Sequence, residues 1–169
     1  MTLPSRTFLV GFVLLVCQAI ASANEFTGRV VGVLDGDTIE VLTEKKELHR
    51  VRLIGIDAPE KRQAFGEVSK RAMSDLSFDK TVTVFYKKRD RYGRVIGLAR
   101  RDGTDLSLAL VRKGLAWHYK KYQSEQSPKD RTLYDNAEVQ ARSGKLGLWL
   151  DKDPIAPWSF RKQSRKQQP

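Results

Sequence analysis

Phe26-Thr27-Gly28-Arg29-Val30-Val31-Gly32-Val33-Leu34-Asp35-Gly36-Asp37-Thr38-Ile39-Glu40-Val41-Leu42 is the stretch on which the fold turns. Phe26 to Val33 alternates loosely and is rich in Val, which predicts a strand. Asp35-Gly36-Asp37 is a turn signal, and Thr38 to Leu42 reads as the returning strand of a hairpin. Glu44-Lys45-Lys46-Glu47 makes a second, charged turn. Leu48 to Ile56 then alternates well enough for a third strand, which Pro59 ends.

Beyond that point the period changes. Phe65, Val68, Ala72 and Leu76 recur at helical spacing, with Lys70, Arg71 and Asp75 opposite them. Thr81 to Tyr86 is β-branched and aromatic, a fourth strand. Arg91-Tyr92-Gly93 turns the chain, and Arg94 to Ala99 returns as a fifth. Asp105 is placed to cap a short helix carrying Leu106, Ala109 and Leu110 and ending at Gly114. Ser127-Pro128-Lys129-Asp130 supplies an N-cap, a proline at the first helical position and an acid at the third. The helix that follows is expected to bury Leu133, Ala137 and Ala141. The inventory predicts an α+β protein: a five-stranded OB-type β-barrel with three α-helices.

The chain has 169 residues, room for one domain. Lys and Arg total 31 against 20 Asp and Glu, a net charge of +11. Such an excess favours acidic partners, nucleic acid first and anionic membrane second. Residues 1–23 read as an export signal. Arg6 is the only charge before Glu25, and Phe8 to Ile20 is a mostly apolar run too short for a bilayer span of about twenty residues. Ala21-Ser22-Ala23 offers small residues for cleavage after Ala23. Cys17, the single cysteine, lies inside this segment. The mature chain is then expected to have no disulfide, no thiolate metal site and no stable membrane anchor. Losing Arg6 takes its net charge from +11 to +10. Residues 24–152 are expected to form the domain, and 153–169 a basic, flexible tail.

Three pieces carry chemistry: Asp35-Gly36-Asp37-Thr38, Arg52 to Glu60, and Asp90-Arg91-Tyr92-Gly93-Arg94. Each has a plain structural reading, as a turn, a strand end and a hairpin tip. Together they supply hard oxygen ligands for a divalent cation, a free carboxylate and two guanidinium groups, the parts needed to hydrolyse a phosphodiester. Arg52 and Arg94 can bind phosphate oxygens bidentately. Tyr92, Trp117, Tyr119 and Tyr122 lie among Arg91, Arg112, Lys113, Lys120 and Lys121, a mixture suited to single strands. His49 and His118 make no pair with zinc-ligand spacing.

In these motifs, with Phe65-Gly66, Leu108 to Ala116 and Ala137 to Trp149, the chain resembles the staphylococcal nuclease (thermonuclease) family over about Phe26 to Leu150. The family fold, an OB barrel with three helices, agrees with the element count. The resemblance implies a Ca²⁺-dependent nuclease acting on DNA and RNA with little sequence preference and leaving 3′-phosphate ends. It makes Asp37 and Asp57 the side-chain ligands of Ca²⁺, with the main-chain carbonyl of Ala58 beside them. Many relatives have threonine at that place, but a backbone ligand survives the change. Arg52, Glu60 and Arg94 become the catalytic residues, Glu60 as general base or as the group that orients the water. Asp35 is a nearby acid beyond the ligands themselves. Arg91, Tyr92, Tyr119 and Tyr122 are expected to bind substrate. A monomer, periplasmic or secreted, is the expected form. The rival expectation is an OB module that binds nucleic acid without cleaving it.

Overall fold

The computed structural model describes residues 24–166. The expected export segment, residues 1–23, and the last three residues lie outside that range. Five long strands form the barrel: β1 Asn24–Val33, β2 Thr38–Thr43, β3 Leu48–Leu53, β5 Thr81–Arg89 and β6 Val95–Arg101. β1 pairs antiparallel with both β2 and β5, β2 with β3, and β5 with β6. The sheet closes where β3 runs parallel to β6, with Val51 opposite Val95 and Leu53 opposite Gly97. Closure removes the exposed edges that a five-stranded open sheet would leave. The expected OB-type α+β architecture is the observed one.

Alternation selects the core. Val30, Ile39, Val41, Val51, Leu53, Val82, Val84, Val95 and Ala99 all point inward and are almost fully buried. Each of the Val, Ile and Leu side chains contributes about 1.5–3 kcal/mol by leaving water. Leu48 is exposed at the start of β3.

The third strand is shorter than its apolar run suggests. β3 stops at Leu53, the chain turns through Ile54-Gly55, and a two-residue strand β4, Ile56–Asp57, pairs with β8, Trp117–His118. Gly55 makes that turn at φ +77°, where a Cβ would fall 2.4 Å from Gln126 Nε2. Another short strand, β7 Thr104–Asp105, adds to β6.

Helix α1, Gly66–Ser77, forms where expected but is rotated. Its buried residues are Gly66, Ser69, Met73 and Ser77, whereas Val68 is exposed and Phe65, Ala72 and Leu76 only flank the core. Close approach decides this: a Cβ on Gly36, in the β1–β2 turn, would lie 2.0 Å from Ser69 Oγ of the helix. Small residues let the helix reach the barrel, which large ones would hold away. Helix α2, Leu106–Arg112, begins at Asp105, whose carboxylate accepts a 3.1 Å bond from the Leu108 amide. Helix α3, Pro128–Ser143, is capped by Ser127 Oγ, which accepts from the Asp130 amide at 3.1 Å. It buries Tyr134, Ala137, Glu138 and Ala141, and leaves the expected Leu133 exposed. The Tyr134 hydroxyl explains the register: it donates to Asp105 at 2.8 Å and ties α3 to the start of α2.

The stretch expected as a flexible tail holds a helix, α4, Pro157–Lys166. Proline at its start has the dihedral a helix needs. Trp158 stacks on Tyr119, ring centroids 5.2 Å apart, and meets Trp117 edge-on. Among the described residues no helix is long and apolar enough to cross a membrane.

Candidate active site

The first loop of the site is the β1–β2 turn. Asp35 Oδ1 accepts from the Asp37 amide at 2.9 Å, so the turn is closed by its own first acid. Gly36 lies so near α1 that a Cβ would stand 2.0 Å from Ser69 Oγ and 2.7 Å from the Ala58 Cβ. Only glycine fits there. The Asp37 carbonyl accepts from the Leu53 amide at 2.8 Å, and its carboxylate Oδ2 accepts from the Ala58 amide at 2.7 Å. The turn and the β4 segment are thereby one unit.

Asp37 and Asp57 are both buried, at 6% and 1% exposure. Removing two carboxylates from water is costly unless cations and donors meet them. Arg52 meets both: its Nη2 lies 3.2 Å from Asp37 Oδ2 and 3.2 Å from Asp57 Oδ1. Its Nη1 donates to the carbonyls of Leu53 and Ile56, at 2.8 and 3.0 Å, which holds the guanidinium in place. Burial pushes the Asp57 carboxyl up, with the bonds from Arg161 pulling against it. Asp35 is pushed up to about 7, by burial first and by the Asp37 charge second.

The β5–β6 hairpin tip also lines the cleft. Asp90 accepts from the amides of Tyr92 and Arg94 and from Arg94 Nε at 2.8 Å. Burial raises the Asp90 carboxyl, but these donors outweigh it and hold it below the usual carboxylate range. Because Asp90 takes the Nε edge, the terminal nitrogens of Arg94 are left for another anion. Tyr92 is exposed, with its hydroxyl accepting from Arg91 at 2.7 Å and the Arg94 guanidinium 5.7 Å from its ring. Tyr119 and Tyr122 meet edge-on at 5.0 Å on the third side.

All ten expected site residues, Asp37, Arg52, Asp57, Ala58, Glu60, Arg91, Tyr92, Arg94, Tyr119 and Tyr122, line one cleft of about 770 Å³. Arg94 pairs with Asp90 rather than with the carboxylates that Arg52 bridges, and both groups line the cleft. His118 lies apart from this chemistry, buried between Asp135 and Gln126.

Arg161 of α4 belongs to the same cleft and was not foreseen. Its Nη2 donates to Asp57 Oδ2 at 2.7 Å, and its Nη1 to Asp57 Oδ1 at 3.1 Å and Glu60 Oε1 at 2.6 Å. The signal was present in Pro157-Trp158-Ser159-Phe160-Arg161: a helix-starting proline and two aromatics within a basic run.

Among the described residues there is no group of three or more His, Cys, Asp or Glu set to hold a metal ion. The donor set here is smaller. Two buried carboxylates share one guanidinium, with the Ala58 backbone tied to the first. Hard oxygen donors that already draw two arginines suit a hard divalent cation that keeps waters in its shell.

The profile of the family described as "Staphylococcal nuclease homologue" matches residues 50–151. A protein of Escherichia coli named "Uncharacterized endonuclease" is 46% identical over 135 residues, 79% of this chain and 84% of its own. One of Shigella flexneri named "Micrococcal nuclease" is 37% identical over 169 residues, covering 95% and 93%. A third, of Haemophilus influenzae, again named "Uncharacterized endonuclease", is 37% identical over 163 residues, covering 95% and 88%.

Proposed function

Since the chain belongs to the staphylococcal nuclease family, we propose that it is a nuclease hydrolysing phosphodiester bonds of DNA and RNA, with Ca²⁺ as its metal and 3′-phosphate ends as product. The observation that carries this reading is the convergence of Asp37, Arg52, Asp57, Glu60 and Arg94 on one cleft. A purely binding OB surface has no use for two buried carboxylates at its centre.

Asp37, Asp57 and the Ala58 carbonyl would hold Ca²⁺, which supplies Lewis-acid polarisation of a phosphoryl oxygen when bound. The remaining work falls to this chain's own side chains. Glu60, half-exposed on the rim, accepts a proton from the attacking water or orients it. Arg52, held by two backbone carbonyls, presents a preorganised guanidinium to the phosphate. Arg94 brings its terminal nitrogens to phosphate oxygens and the leaving 5′-oxygen. Tyr92, Tyr119 and Tyr122 offer faces to bases, and Arg91 a cation to the flanking backbone.

Export, to the periplasm or outside the cell, belongs to the same reading and rests on the apolar run and Ala21-Ser22-Ala23. So does a monomeric state, since the cleft is complete within one chain. Digestion of single-stranded DNA, duplex DNA and RNA, with calcium and with chelator, tests the activity. Analysis of the ends tests the products. DNA binding without cleavage, calcium present, would establish the binding module instead. Mass spectrometry of exported protein should find Asn24 at the N-terminus.

A further inference from the structure

Arg161 reaches the cleft from the far end of the chain, 104 positions after Asp57 and 101 after Glu60. Exposed ion pairs of this kind contribute little to stability. This pair is not exposed on the side that matters, since Asp57 is 1% accessible. Asp37, Asp57 and Glu60 line the same cleft, where Arg52 is the other guanidinium and is bonded to the first two. Arg94 is engaged by Asp90. Three carboxylates against one guanidinium leave a surplus of acid, and Arg161 is the charge that meets it.

Its bonds also cover ligand positions. Both oxygens of Asp57 and one of Glu60 accept from Arg161. A divalent cation sits about 2.3–2.6 Å from a carboxylate oxygen, in the space these N–H groups fill. Guanidinium and ion therefore compete for Asp57. Arg161 is also built to leave. Pro157 is the only buried residue of α4, and the Arg161 side chain is 35% exposed. The helix is held by Trp158 against Tyr119 and Trp117, and by Gln63 Nε2 donating to the Ile155 carbonyl just before it. The guanidinium can swing away while those contacts stay.

We propose that Arg161 is a tethered counter-cation of the cleft: it neutralises Asp57 and Glu60 until a divalent cation displaces it, and so lowers the free protein's affinity for that cation. The inference rests on the reading of Asp37 and Asp57 as the Ca²⁺ ligands.

Calorimetric titration with calcium chloride, without nucleic acid, tests it on the full mature chain. Arg161→Ala should bind calcium about tenfold more tightly than wild type, a coupling of ordinary size. Arg161→Lys, which keeps the charge, should lie nearer wild type. Lys162→Ala removes an exposed cation from the same helix and should leave the affinity unchanged. Asp57→Asn should lose binding. Circular dichroism checks that each variant is folded. If Asp57→Asn loses binding while Arg161→Ala matches wild type, the counter-cation role is overturned and the metal reading stands. Equal tightening by Lys162→Ala would also overturn it, by showing an effect of net charge alone. If Asp57→Asn binds calcium as wild type does, the ligand assignment fails and this inference falls with it.

Discussion

The backbone amide of Ala58 donates a 2.7 Å hydrogen bond to Asp37 Oδ2. That bond joins a hairpin turn to a strand end 21 residues later, and it ties Asp37 to the backbone beside Asp57. It also gives Asp37 two tasks, satisfying a buried donor and facing the cation.

Those tasks separate by substitution. Asp37→Ala leaves the Ala58 N–H without its partner and should cost about 1–3 kcal/mol of stability in urea melts. Asp37→Asn keeps an oxygen for that bond and should melt closer to wild type, yet bind calcium far more weakly. Wild-type calcium affinity in Asp37→Asn would remove Asp37 from the ligand set.

Arg94 and Glu60 should matter to the reaction more than to binding. Charge grows on the phosphoryl oxygens as water attacks, and losing one preorganised donor typically costs about 10²–10³ in turnover. Folded Arg94→Ala should lose kcat on that scale while keeping much of its affinity for single-stranded DNA. Glu60→Gln should do likewise. Wild-type rates in both would move the chemistry elsewhere.

Gly36 should tolerate nothing larger. A Cβ 2.0 Å from Ser69 Oγ must push the turn off α1 or displace the serine. Gly36→Ala should destabilise by about 1–3 kcal/mol, the usual cost of overpacking. Activity should fall further than stability, because Asp37 moves with the turn. Pairing it with Ser69→Gly, which opens the space, should restore part of both.

Asp105 gives a pH signature away from the cleft. Burial raises its carboxyl above 3.8, against the pull of the Leu108 amide and the Tyr134 hydroxyl. The folded state therefore holds this proton longer than the unfolded chain does. Its contribution is most favourable below the unfolded value and is lost as pH rises through the raised one. Asp105→Asn keeps the cap and removes the titration. Its stability relative to wild type should improve as pH rises from about 4, the unfolded value, read by urea melts across that rise. A difference that does not change with pH would contradict the shift.

Local chemistry explains what was legible. Alternating Val and Ile with Asp-Gly turns predict the barrel strands, because side-chain period and turn geometry are properties of neighbouring residues. Asp105, Ser127 and Pro128 mark helix starts for the same reason. Residues such as Asp37 and Arg94 sit on turns and strand ends that local sequence can identify, and the family resemblance adds their roles. The α1 face was misjudged because Gly66, Ser69 and Ser77 carry little hydropathy. They are buried for their size, which matters only once a partner surface is present.

By itself, then, the sequence determined the strands, the turns, the helix caps, the strong positive charge and the residues able to meet a phosphodiester. Tertiary structure alone decided which face of α1 reaches the barrel, where β3 breaks to turn Asp57 inward, and that Arg52 bridges Asp37 and Asp57. It also decided that Arg161 closes on Asp57 and Glu60. The physical reason is range. Propensity and period act over a few residues, whereas a buried carboxylate takes whichever cation the fold brings within hydrogen-bond distance, here one from 104 positions along the chain.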